Sequence, residues 1–193
     1  MNSEVAAKLA DYRRRIAELR GEMRALRATA DPEGINDYEF ATMEGPRRLS
    51  SLFGNERDLI VIHNMGVSCP NCTLWADGYN GIYDHLAARA AFVVSSPDPP
   101  ETQQSFAASR RWRFPMVSHH GTDFAADMGY RSGTGGWLPG ISVFRRVGER
   151  IVRTASAPCD LGDDYCTLWH LFDLLPDGPA GFRARLSYPQ AEI

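Results

Sequence analysis

The stretch Leu59-Ile60-Val61-Ile62-His63, followed by Asn64-Met65-Gly66-Val67-Ser68 and then Cys69-Pro70-Asn71-Cys72, decides the fold. The first five residues form an unbroken apolar run of strand length, as expected for a strand covered on both faces. The Gly- and Asn-containing break ends it, and a helical pattern follows from Pro70 to Arg89. Trp75, Tyr79, Ile82, Tyr83 and Leu86 fall on one face of that helix. Gly78 and Gly81 each weaken it by about 1 kcal/mol relative to Ala, which would permit a bend. Ala91-Phe92-Val93-Val94-Ser95 is a second buried strand, stopped by Pro97-Asp98-Pro99-Pro100. Strand, helix and strand make a βαβ unit with a parallel pair.

A C-x-x-C sits at the joint between the strand and its helix, and that context distinguishes a redox pair from two incidental cysteines. Cys69 falls at the helix start, where unpaired N–H groups and the helix dipole favour a thiolate. Pro70 suits the first helical position, since its missing N–H would have no partner there. Cys72 lies one turn on, within reach of a mixed disulfide at Cys69. Cys69 is therefore the expected nucleophile and Cys72 the resolving thiol. No Lys or Arg adjoins the motif to lower the thiol pKa further.

Two other readings compete. The pair could be inert, or half of a structural zinc site. A four-thiolate site would want a second C-x-x-C, whereas Cys159 and Cys166 are separated by six residues. His63 or His119-His120 would have to complete a mixed site, and the spacing does not bring them together. Cys159 and Cys166 themselves read as small buried hydrophobes, with an auxiliary pair as the alternative. We expect no metal and no cofactor.

Leu138-Pro139-Gly140 precedes a strand. A proline there, facing a C-x-x-C, is expected to be cis and to leave nearby backbone groups open to a substrate; otherwise it is a turn proline that starts the strand. His63, Trp75 and Asp77 lie close in sequence to the thiols. They are candidates to move the resolving proton, or else packing and capping residues.

Working outward, Val5, Leu9, Tyr12, Ile16, Leu19, Met23 and Leu26 form a heptad stripe on one long helix that ends near Asp31-Pro32. Its flanks, Lys8, Arg13, Arg15, Arg20, Glu22 and Arg27, are mostly basic. Self-pairing would set Arg against Arg, so the helix is expected to dock on the body of its own or another subunit. Residues 31–57 read as a linker with one edge strand. After the βαβ unit come a helix from Glu101 to Trp112, the extended Phe114-Pro115-Met116-Val117-Ser118 and a short turn of helix at 123–128. A hairpin of Ile141–Phe144 with Arg150–Arg153 turns through Gly148, and a last helix runs from Tyr165 to Leu175. The division expected is a helix at 1–30, a linker at 31–57, a domain at 58–176 and an irregular tail at 177–193.

Composition sets the outer limits. The 193 residues are 44% hydrophobic and 23% charged with a net charge of −3, as in an ordinary globular chain. The charge balance argues against nucleic acid, no apolar run approaches a bilayer span, and the Arg-studded start lacks a signal core. The expected address is the cytoplasm, where disulfide staples are rare.

The run Cys69-Pro70-Asn71-Cys72-Thr73-Leu74-Trp75-Ala76-Asp77-Gly78 resembles the signature of a bacterial thioredoxin-like family catalogued as domain of unknown function 899. So do Phe114-Pro115-Met116-Val117-Ser118, Gly121-Thr122-Asp123-Phe124 and Leu138-Pro139-Gly140-Ile141-Ser142-Val143-Phe144, and the basic first helix is similar to that family's amino-terminal stretch. The resemblance spans nearly the whole chain. It implies an α/β, thioredoxin-like fold, a mixed central sheet with helices on both faces and a long N-terminal helical extension. It also implies an oxidoreductase activity, without defining the reaction. Phe114-Pro115 to Gly129-Tyr130 is similar to a segment of peroxiredoxins, yet Met65 to Ser68 carry no Pro-x-x-x-Thr-x-x-Cys pattern. Three functions follow as expectations: a thiol–disulfide oxidoreductase acting on a protein or small-molecule disulfide, a thiol-dependent peroxidase, or a non-catalytic scaffold whose first helix recruits a partner or a second copy.

Overall fold

The computed structural model describes residues 2–189. The chain divides into two compact units, Met1–Glu33 and Gly34–Ile193. The first is built on α1 (Ser3–Thr29), capped by Asn2, whose side chain accepts the Glu4 N–H. None of its residues is buried, so the heptad stripe of Val5, Tyr12, Ile16, Leu19, Met23 and Leu26 lies exposed.

The strands are β1 (Glu33–Ile35), which begins at the boundary residue, β2 (Glu39–Phe40), β3 (Arg47–Arg48), β4 (Asp58–His63), β5 (Ala91–Ser96), β6 (Met116–Ser118), β7 (Gly140–Val147) and β8 (Arg150–Pro158). Six of them form one mixed sheet in the order β1-β8-β7-β4-β5-β6, while β2 and β3 pair separately. β4, β5 and β6 run parallel, and β7 lies antiparallel between β4 and β8. The helices are α2 (Pro70–Ala87), α3 (Pro100–Arg110), α4 (Phe124–Asp127) and α5 (Thr167–Phe172). α2 runs without a break through Gly78 and Gly81. β7 and β8 extend well past the expected hairpin pieces and turn through Gly148-Glu149, with Val147 opposite Arg150. Gly148 supplies the positive φ such a two-residue turn needs.

Alternation along the central strands sorts the core into two layers. Leu59, Val61 and Val93 face a cluster with Phe40, Leu49, Phe53, Phe124, Tyr130 and Phe144. Ile62, Phe92 and Val94 face the other, with Trp75, Tyr79, Trp112, Phe114 and Trp169. Both faces of β4 and β5 are thus covered, which is why their sequences are unbroken apolar runs. Stretch 31–57, expected as a linker, helps to cover the first face: Phe40, Leu49 and Phe53 are fully buried. On α2, Trp75 and Tyr79 are buried as expected, but Ile82 is 49% exposed.

Candidate active site

The carboxyl ends of the parallel strands gather the residues that matter, the usual place for a site in an open α/β sheet. β4 ends at His63 and hands the chain to a tightly held loop. The Asn64 N–H donates to the Ser95 carbonyl (2.9 Å), and the Asn64 side chain accepts the Gly66 N–H (2.8 Å). From the end of β5, the Asp98 carboxylate accepts the Val67 N–H (3.1 Å) and the Ser96 hydroxyl (2.8 Å). Gly66 has a φ of +113°, which favours glycine, and a Cβ there would lie a tight 3.2 Å from the Asp98 carboxylate oxygens.

This loop delivers Cys69 as the N-cap of α2, with Pro70 at the first helical position. Its sulfur accepts the Cys72 N–H at 3.1 Å, as a capping oxygen would. The Cys72 sulfur in turn accepts the Met65 N–H at 3.4 Å. All four cysteines are free thiols; Cys69 is half-buried, whereas Cys72, Cys159 and Cys166 are buried. The Cys72 thiol donating to Cys69 pulls the Cys69 pKa down to about 6, with the Cys72 and Asn71 amides adding to this against burial. The same hydrogen bond, together with burial, pushes Cys72 far upward. The two sulfurs are therefore differentiated: one reachable and inclined to ionise, the other hidden and protonated.

The remaining candidates fall into different places. His63 is buried, with Nε2 2.9 Å from the Ser142 hydroxyl and its ring stacked on Tyr130. Burial holds it well below the usual imidazole range, so it is neutral. It lines a cavity of about 10 Å³ together with Ile62, Asn64, Cys72, Trp75, Pro139 and Cys159. Trp75 donates its indole N–H to Asp163 (3.4 Å), tying α2 to the loop that carries Cys159 and Cys166. Both carboxylate oxygens of Asp77 are occupied, by Arg110 and by the Trp112 indole, so that Asp77 clamps α2 to α3 and the start of the following segment.

Pro139 corrects an expectation, because the described residues contain no cis peptide bond. Its partners explain why. The Leu138 N–H donates to the Tyr130 carbonyl (2.9 Å), and the Pro139 carbonyl accepts the Cys159 N–H (3.2 Å). These bonds lead the chain directly into β7, where the Tyr130 ring packs so closely on Gly140 that a Cβ there would lie 2.0 Å from it. Neither backbone group is left open to a substrate, and Leu138 remains 41% exposed. Of the histidines suggested for a zinc site, His119 bonds Ser95 (2.9 Å) away from the motif, while His63 shares the small cavity with Cys72 and Cys159 but bonds Ser142. Among the described residues no three His, Cys, Asp or Glu side chains converge on a metal position.

Asn64, Asp98 and Cys159 were not singled out as site residues from the sequence. They come from the ends of three different strands, and only the Pro97-Asp98-Pro99 stop after β5 hinted at one of them.

Over residues 4–186 the chain matches the family described as "Bacterial protein of unknown function (DUF899)". It belongs to that family. Family and fold agree with the resemblance seen in the thiol motif. The chain is also 31% identical over 106 residues to "Putative peroxiredoxin Rv1608c" of Mycobacterium tuberculosis strain H37Rv, covering 54% of this chain and 68% of that protein. Among solved structures it is similar to peroxidoxin BcpB from Mycobacterium tuberculosis, with 29% identity, a TM-score of 0.52, and coverage of 63% of this chain and 80% of the other. It is similar in fold to reduced Prx3 from Vibrio vulnificus, with 14% identity, a TM-score of 0.56, and coverage of 68% and 87%. The DUF899 chain thus carries a thioredoxin-like, peroxiredoxin-related fold, and these neighbours support a thiol-dependent redox function. No helix among its described residues is long and apolar enough to cross a membrane.

Proposed function

We propose that this protein is a thiol-dependent peroxidase in which Cys69 is the attacking thiolate and Cys72 resolves it. The observation that carries the reading is the pair of unlike sulfurs at the start of α2. Cys69 is reachable, accepts an amide N–H and has a depressed pKa, and Cys72 sits one turn inside with its proton retained. The Cys69 thiolate attacks the outer oxygen of a hydroperoxide, giving a sulfenic acid on Cys69 and an alcohol or water. The Cys72 thiol then attacks the Cys69 sulfur, water leaves, and a Cys69–Cys72 disulfide remains. A dithiol reductant restores both thiols by exchange.

Thiol–disulfide exchange on a protein substrate is the second reading, favoured by the C-x-x-C spacing itself. It would use the same two sulfurs. The Leu138–Pro139 loop gives it less help than expected, since the Leu138 N–H and the Pro139 carbonyl are already paired within the chain.

Stopped-flow mixing of fully reduced protein with hydrogen peroxide tests the assignment. Free thiols should fall from four to two per chain in one fast phase, and Cys69→Ser should show no such phase. Insulin reduction driven by dithiothreitol, proceeding while peroxide is consumed no faster than by free thiol, would instead select exchange.

A further inference from the structure

The proposed peroxidase uses two of the four thiols, and the other two are not scattered. Cys159 ends the β8 hairpin arm and Cys166 opens α5; both belong to the buried cluster that contains Trp75. The loop between them is fastened through Asp163. One of its oxygens accepts the Cys166 N–H (3.0 Å), the Tyr165 N–H (2.8 Å) and the Trp75 indole, and the other accepts the Asp160 N–H (3.1 Å). Trp75 is three residues beyond Cys72 on α2, so this clamp holds the second thiol pair against the helix that carries the first. Cys72 and Cys159 both line the small cavity at the Pro139 loop, about 10 Å³ in volume, and Cys159 is near enough for its charge to raise the Cys72 pKa.

We propose that Cys159 is a third redox thiol, which takes the disulfide inward from Cys69–Cys72 to Cys72–Cys159. The proposal rests on the Cys69–Cys72 disulfide of the previous section. In the step, the Cys159 S–H loses its proton to solvent and its sulfur attacks Cys72. The Cys72–Cys159 bond forms, the Cys69–Cys72 bond breaks, and its electron pair leaves on Cys69. One disulfide is consumed and one is made, so no oxidant or reductant is needed.

The direction follows from the leaving group. Cys69 departs as the thiolate that the start of α2 favours, and a low-pKa sulfur leaves fastest. Cys72, which shares the cavity with Cys159, is the sulfur open to attack from inside. Burial and the Asp163 charge raise Cys159 to about 12, so little of it is ionised at neutral pH. Proximity rather than ionisation must supply the rate, and the transfer should quicken as pH rises. Asp160 and Cys166 oppose the ionisation of Cys159 as Asp163 does, whereas the Tyr79 hydroxyl, buried beside Cys159 without a well-formed hydrogen bond, favours it.

The test is disulfide mapping of the full chain by non-reducing digestion and mass spectrometry, in two arms. Diamide, a general thiol oxidant, makes the first disulfide without peroxide chemistry; hydrogen peroxide makes it through the proposed reaction. In the diamide arm a Cys72–Cys159 linked peptide should grow as the Cys69–Cys72 peptide declines, while Cys69 regains alkylation. The link should be lost in Cys159→Ser, where Cys69–Cys72 persists. It should also be lost in Cys72→Ser, where Cys159 stays reduced. A Cys69–Cys72 disulfide that persists in the wild type with Cys159 unreacted would overturn the transfer, as would oxidation of Cys159 in Cys72→Ser. An inward link with diamide but no reaction with peroxide would leave the transfer standing and remove the peroxidase reading.

Discussion

Two cysteines in this chain occupy the same local position and come out as opposites. Cys69 is the N-cap of the 18-residue α2, and Cys166 is the N-cap of the six-residue α5. Sequence rules about helix starts apply equally to both. Around Cys166 the amides of Leu168 and Trp169 favour its thiolate, yet no cap hydrogen bond is completed and burial prevails, so its pKa rises. Around Cys69 a completed N–H bond and a thiol donor outweigh burial, and its pKa falls. A helix start therefore offers stabilisation to a thiolate, but desolvation decides whether it prevails.

The largest effect expected from this contrast is on reactivity. Cys69→Ser should reduce peroxide consumption to the rate of a free thiol or below, whereas Cys166→Ser should leave it within about twofold, as for a buried residue outside the reaction. Next comes accessibility. Iodoacetamide on the native reduced protein should label Cys69 with a half-maximal rate near pH 6, and Cys159 and Cys166 only on unfolding. Labelling of Cys166 at a rate similar to Cys69 would break the comparison.

A smaller effect isolates the thiol donor. Cys72→Ala removes the S–H that Cys69 receives but keeps the backbone N–H. A hydrogen bond to a charged group contributes about 1.5–3 kcal/mol, so the labelling midpoint should move up by about one to two pH units. The linkage has the matching sign: a depressed thiol pKa adds stability to the reduced protein above the unfolded value near 9, lost as pH falls through about 6. The gain in stability from pH 6 to pH 8 should shrink in Cys72→Ala, as read by urea unfolding. The smallest effect is on the loop: Asp163→Ala frees the N–H groups it holds and should cost about 1–3 kcal/mol, while raising the native labelling of Cys166.

Local features were the legible ones. The Leu59–His63 and Ala91–Ser95 runs announced the central strands because both of their faces are buried, and Cys69-Pro70-Asn71-Cys72 announced the thiols because a helix start is a short-range arrangement. Phe40, Leu49 and Phe53 do not read as core because they arrive in short apolar pieces among Gly, Pro and charge, and only packing on the far sheet face collects them. The trans bond at Pro139 was unreadable for a similar reason: it depends on Tyr130 and Cys159, nine residues before and twenty after. Asn64 and Asp98 act by closing one loop from two strand ends, a juxtaposition no spacing rule encodes.

The burial of Cys72 has a kinetic consequence for the oxidised chain. While the disulfide is still Cys69–Cys72, an incoming reductant meets the Cys69 sulfur first and must expel Cys72, whose anion burial disfavours and which is accordingly slow to leave. In the proposed cycle this would make recovery slower than oxidation, so that the fraction of oxidised chains would retain a memory of past oxidant after the oxidant itself has gone.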